Sequence, residues 1–205
     1  MYSERLAVRQ RGVTLVEVIL FIVIVGIAVG GILTVMNIAN RSSVDPVRRK
    51  QALIIAEGLL EEVELAKFSY CDPADPDAGD ADTVKSAADC KAVPEKWGQL
   101  SPEPTGATDG RPFDNVNDYV PGPGVSTAAF DNADGVLLDA NGAPLGVAGY
   151  TARLTIAPAS LNGIGSAADT AADTEVLRIT VTVSYDDGQS VTLDGYRTRY
   201  APNHL

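Results

Sequence analysis

Nineteen consecutive residues without a charge, Val18 to Met36, constrain this chain more than any other feature. At ~1.5 Å rise per residue such a run makes a helix of roughly 28 Å, close to the hydrocarbon thickness of a bilayer. The stretch therefore reads as a helix that crosses a membrane. Three bases, Arg5, Arg9 and Arg11, precede it, followed by Gly12. One carboxylate, Glu17, opens the apolar run. A charge at that depth is costly without a partner, which marks Glu17 as a functional candidate.

The basic residues lie on the short N-terminal side, so the positive-inside bias keeps that end cytoplasmic and exports the rest. The whole chain carries a net charge of −11, and three of its 16 bases fall within the first twelve residues. The remainder of the chain is more acidic than the whole, with no basic patch for phosphates, and no nucleic-acid partner is expected. A cleaved secretory signal has a shorter apolar core and a small-residue site after it. Here Asn37-Ile38-Ala39-Asn40-Arg41 comes next instead. A plain uncleaved anchor explains length and orientation but leaves Gly12 and Glu17 without a role.

Arg11-Gly12-Val13-Thr14-Leu15-Val16-Glu17, leading into an apolar helix, resembles the class III signal of type IV prepilins and of type II secretion pseudopilins. The resemblance implies that a prepilin peptidase cuts between Gly12 and Val13 on the cytoplasmic side and methylates the new amine of Val13. It makes Glu17 the fifth residue of the mature chain, the family's assembly glutamate. Most family members begin with Phe where this chain has Val13, a departure tolerated in minor pilins. The chemistry is intelligible by itself. Glycine lets a protease approach the backbone closely. Cutting removes the charged leader and leaves the helix attached. A carboxylate at Glu17 can then neutralise the Val13 amine of a neighbouring subunit, two charges that are each expensive in an apolar interior. Other pilins, the inner-membrane assembly platform and the membrane itself are the partners so implied.

Gly26, Gly30 and Gly31 interrupt the apolar helix; glycine permits close helix–helix approach and is also common in membrane helices. Asp45-Pro46 reads as a restart, Asp as N-cap and Pro at the first helical position, so a kink or break is expected near Val44–Asp45. A second helical stretch should run to about Phe68. Within it Ala52, Ile55, Ala56, Leu59, Val63 and Ala66 recur at three- and four-residue spacing and define one apolar face. Arg48, Arg49, Lys50, Glu57, Glu61 and Glu64 lie opposite, a solvated or subunit-facing surface.

Residues 69–135 are rich in Asp, Pro, Gly and Ala with little periodicity, and read as loop with a short helix or two. The only two cysteines, Cys71 and Cys90, fall in the exported part, where an oxidising compartment favours a disulfide. The loop it closes predicts a stabilisation of ~3 kcal/mol. Acids crowd this segment at Asp72, Asp75, Asp77, Asp80 and Asp82, and again at Asp131, Asp134 and Asp139 with Asn132 and Asn141. Calcium takes clustered carboxylates, and some relatives in the superfamily bind it in such loops. Neither spacing matches an EF-hand, however. The acids are expected to be solvated loop residues, and no metal or cofactor is expected.

Tyr70-Cys71-Asp72-Pro73, Phe113-Asp114-Asn115-Val116-Asn117-Asp118-Tyr119 and Leu193-Asp194-Gly195-Tyr196-Arg197-Thr198-Arg199-Tyr200 resemble a narrower group, minor pilins of the mannose-sensitive haemagglutinin pilus (MshD-like). Val176 to Tyr185 alternates strictly, with Leu177, Ile179, Val181, Val183 and Tyr185 on one face. Asp186-Asp187-Gly188 turns the chain and Ser190 to Tyr200 returns. With strands at Tyr150–Ile156 and near Val136–Leu138, an antiparallel sheet of about four strands is expected.

The expected fold is α+β and type IV pilin-like, a long N-terminal helix packed on a C-terminal antiparallel sheet. The segments are a leader 1–12, an apolar helix 13–36, an amphipathic helix 37–68 and a head 69–205, with its loop region to 135 and its sheet at about 136–200. The lone His204 cannot complete a Ser/His/Asp set, and no phosphate-binding glycine loop occurs, so catalysis is not expected. The sequence thus points to a minor pilin of a type IV pilus, serving its biogenesis or its tip and adhesive contacts, in the inner membrane and then at the cell surface. A type II secretion pseudopilin and a non-polymerising anchored periplasmic binding domain are the alternatives.

Overall fold

The computed structural model describes residues 12–78, 80, 83–99, 110–186 and 188–199, with only the backbone of 37–45. The chain divides into two units, Met1–Val47 and Arg48–Leu205. Helix α1 spans Leu15–Leu65 and contributes to both. In the first unit Leu15–Met36 is apolar on every side, with a mean hydropathy of 3.0, and is long enough to cross a membrane. None of its side chains is buried.

The expected break near Val44–Asp45 does not occur. The backbone stays helical through that point, and Pro46 lies inside α1 rather than at a new N-terminus capped by Asp45. An interior proline removes one i→i−4 bond and crowds the carbonyl four residues back, and here the helix continues on both sides of it. The helix also ends earlier than expected, at Leu65. There the chain extends, and Lys67 exchanges main-chain bonds with another segment: its N–H donates to Asp114 O (3.0 Å) and its carbonyl accepts from Val116 N (2.9 Å).

The second unit is built around the face of α1 read from the spacing. Ala52, Ile55, Ala56, Leu59, Val63 and Ala66 are all buried. They form one core with a three-stranded antiparallel sheet, β1 (Tyr150–Pro158), β2 (Val176–Tyr185) and β3 (Gln189–Thr198), in that order. Cross-strand rows Ala152–Val183–Val191, Leu154–Val181–Leu193 and Ile156–Ile179–Gly195 face the helix. Leu154, Ile156, Ile179 and Val181 are wholly enclosed, each burial contributing about 1.5–3 kcal/mol. Gly195 lets helix and strand approach: a Cβ there would collide with the Glu64 carboxylate and sit 3.0 Å from Leu60 Cδ1. The β2–β3 turn is tight, with Asp186 at φ 36° and Gly188 at φ 94°.

The fourth strand near Val136–Leu138 is absent, and only single bridges, Asp131 to Leu137 and Leu138 to Pro144, occur there. The cause is local. Asn132 Oδ1 accepts from the N–H groups of Asp134 and Val136, and Asp139 Oδ1 does the same from Asn141 and Ala143. Gly135 and Gly142 supply positive φ at equivalent places. Asn-Ala-Asp-Gly and Asp-Ala-Asn-Gly thus fold as two copies of one side-chain-closed turn, leaving too few residues between them for a strand.

Candidate processing and assembly site

Gly12, Val13 and Thr14 lead into α1 in non-helical backbone and are exposed, Val13 by 68 %. A peptide bond there is open to a protease, which needs an extended substrate. A Cβ at Gly12 would meet nothing within 4 Å. The fold itself therefore does not demand glycine at this position. The bases Arg5, Arg9 and Arg11 lie outside the described residues.

Thr14 starts the helix. Its Oγ1 accepts from Glu17 N (3.4 Å) and its carbonyl accepts from Val18 N (3.2 Å). Thr-Leu-Val-Glu is the sequence of a capping box, in which a Thr side chain satisfies a free N–H three residues on. It gives Glu17 a place within its own chain: an acid in the first turn, where the positive end of the helix dipole favours it. Farther along, Gly26, Gly30 and Gly31 lie in open space, and Thr34 Oγ1 donates back to Gly30 O (2.9 Å).

In the head, Cys71 and Cys90 form a disulfide. The acids beside it are engaged with the chain's own donors. Asp75 Oδ2 accepts from Ala92 N (2.7 Å) and Val93 N (2.9 Å), and its Oδ1 accepts from Asp77 N (3.0 Å). These bonds, Val93's foremost, hold its carboxyl below the usual range. Asp72 caps Ala74 N, Asp80 accepts from Thr83 N, and Asp77 pairs with Lys91. Asp82 lies outside the described residues. Among those described, no three His, Cys, Asp or Glu side chains converge as a metal site would need.

Four polar clusters in the head left no signal in the sequence, and two of them are built on α1. Glu62 is buried and takes a two-pronged pair from Arg111, Nε to Oε1 at 2.8 Å and Nη2 to Oε2 at 2.6 Å, with Tyr119 donating its hydroxyl at 3.1 Å. Arg111 also donates to the carbonyls of Phe130 and Leu138. Arg48, read as solvated, instead pairs with Asp186 at 2.8 Å and lies over the Tyr150 ring. At the other end Arg199 lies 3.9 Å from the Phe68 ring centre and 4.2 Å from that of Tyr70. Burial lowers its pKa to about 10. Glu95 accepts from Asn115 Nδ2 (2.9 Å). Burial, then the charge of Asp118, pushes its carboxyl up to about 8. The separation in sequence of these partners, such as Glu62 from Arg111, left no periodic signal.

Residues 8–33 match the prokaryotic N-terminal methylation motif. No curated protein and no solved structure matches the chain. The matched stretch holds Gly12, Val13 and Glu17 together with most of the apolar helix. It is the signal of a structural subunit processed by prepilin peptidase, and it supports a type IV pilin-like protein.

Proposed function

We propose that this chain is a minor pilin of a type IV pilus. It enters the inner membrane with its N-terminus in the cytoplasm and its head in the periplasm. Hydrolysis of the Gly12–Val13 peptide bond releases the basic leader and creates an amine at Val13, which is methylated. The helix then carries the subunit into a filament, where Glu17 meets the Val13 amine of a neighbour. The head works by contact, in pilus biogenesis or at the tip. The observation that carries the reading is the methylation motif set on an exposed, unsatisfied apolar helix. Val13 in place of Phe and the short motifs around Tyr70, Phe113 and Leu193 favour a minor pilin of the mannose-sensitive haemagglutinin type.

Mass spectrometry of the chain from cells tests this directly. The expected N-terminus is methylated Val13; an intact Met1 leader would leave only an anchored domain. Glu17→Ala should be cleaved normally yet enter filaments poorly. Normal incorporation would remove the proposed pairing. Recovery of the chain with a secretion system's pseudopilus, and never with pili, would favour the pseudopilin alternative.

A further inference from the structure

The sheet treats its two edges differently. Along the outer edge of β1, Leu154 exchanges both main-chain bonds with Thr127 at 2.9 Å, and Ile156 O accepts from Gly124 N at 2.8 Å. Among the described residues the β3 edge has no such cover. Arg199 N donates to Glu175 O, which fixes the hydrogen-bonding phase of the β2–β3 register. By alternation Arg197, Gly195, Leu193 and Val191 bond inward to β2. The N–H and C=O groups of Ser190, Thr192, Asp194 and Tyr196 therefore point away from the sheet. Among the described residues no main-chain group pairs with them, and all four residues are exposed.

Natural edges are blunted by short strands, proline, lysine or bulges. β3 has ten residues, no proline, no lysine and an unbroken register; its two charged residues are engaged within the chain, Asp194 accepting from the Thr180 hydroxyl and Arg197 donating to Ala66 O. A strand added here would place alternate side chains toward α1. Leu60 and Glu64 lie over Gly195, and Glu57 and Glu61, exposed, share that side at three- and four-residue spacing. The exposed cations Arg49 and Lys50 sit near the Arg48–Asp186 pair, at the start of β3. On the other face Asp194 is exposed. A second copy aligned in parallel would bring the same acids against themselves, and like charges facing across strands are destabilising; antiparallel pairing of two copies would show as dimerisation without peptide.

We propose that the outer edge of β3 receives an extended, Lys/Arg-bearing segment of another protein as an added strand. Main-chain bonds hold it, and its inward cations meet Glu57, Glu61 and Glu64. The inference rests on the head alone and stands whether or not Gly12–Val13 is cut.

The test uses the full chain in lipid nanodiscs and a synthetic peptide alternating Thr with Lys, matched in length to β3. A Thr–Glu peptide is the control. Hydrogen exchange should slow at the amides of Ser190, Thr192, Asp194 and Tyr196 with the Lys peptide, and the Glu peptide should bind about tenfold more weakly or worse. Thr192→Pro removes an outward donor and no main-chain bond to β2; like Thr192→Ala it also loses the Thr182–Thr192 hydroxyl pair at 3.0 Å, so it should abolish binding while thermal unfolding stays close to that of Thr192→Ala. Thr192→Ala should bind normally. Glu57→Gln with Glu64→Gln should weaken binding about fivefold and leave the protection pattern in place. The proposal fails if those four amides are not protected, if Thr192→Pro binds as wild type, or if the chain dimerises through them without peptide.

Discussion

One helix serves two solvents. From Leu15 to Met36 every position is exposed and nearly every side chain apolar, so no face is distinguished from another. From Arg48 to Leu65 the same helix sorts its residues, Ala52, Ala56 and Val63 fully buried while Glu57 and Glu61 face water. The second pattern is the signature of a helix whose partner belongs to the same chain. The first is that of a helix whose surroundings, lipid or other subunits, must be supplied from outside. Substitutions of one kind should therefore have opposite consequences in the two halves.

The largest effect is expected at Glu62. Replacement by Ala leaves the Arg111 guanidinium buried without its carboxylate, at a cost of about 3–5 kcal/mol, read by denaturant unfolding of the head. Next comes a matched pair. Leu59→Ala, in a residue 4 % exposed, should cost about 2–5 kcal/mol. Leu33→Ala, at 56 % exposure, should leave head unfolding unchanged. Equal effects would break the distinction between the halves.

A subtler difference concerns pH. Glu95 holds its proton to about pH 8 in the folded head, whereas an unfolded carboxyl releases it near pH 4.5. Between those values the unfolded state binds fewer protons, so head stability should fall as pH rises and level off above about 8. Glu95→Gln should flatten that slope in a series of urea titrations; an unchanged slope would assign it to other groups. The smallest effect is expected at Thr14→Ala, about 1 kcal/mol of capping, visible as faster amide exchange in the first turn of α1 and nowhere in the head.

How much of this was legible in the sequence depended on range. The buried face of α1 and the alternation of β2 came directly from spacing, because periodicity of 3.6 or 2 is imposed by one partner surface along the whole element. The disulfide followed from having two cysteines. The missing fourth strand and the burial of Asp72 and Asp75 were misread for a single reason, while the segment that holds them is the loop with short helical turns that its composition indicated. An Asp or Asn oxygen can accept from its own backbone, from water or from a cation, and composition does not say which. At Asn132 and Asp139 the backbone takes it, although the repeat of the two turns along the chain was available to be seen. Pro46 misled as to a break, since a strong local stop signal was overridden by the helix on either side. At the processing site Gly12, Val13 and Glu17 stood out in the sequence, while the cap at Thr14 did not.

The stacking of Arg199 between Phe68 and Tyr70 also bears on when the head can form. Its neighbouring tie, Arg197 to the carbonyl of Ala66, likewise joins the end of α1 to the last strand. The core against α1 thus closes only after β3 has left the ribosome. Until then the apolar face of Ala52 to Ala66 has no sheet to cover it, whereas Leu15 to Met36 takes no cover from the head at any stage. Closure of the head waits for its last strand, and that delay is written into the sequence distance between Phe68 and Arg199.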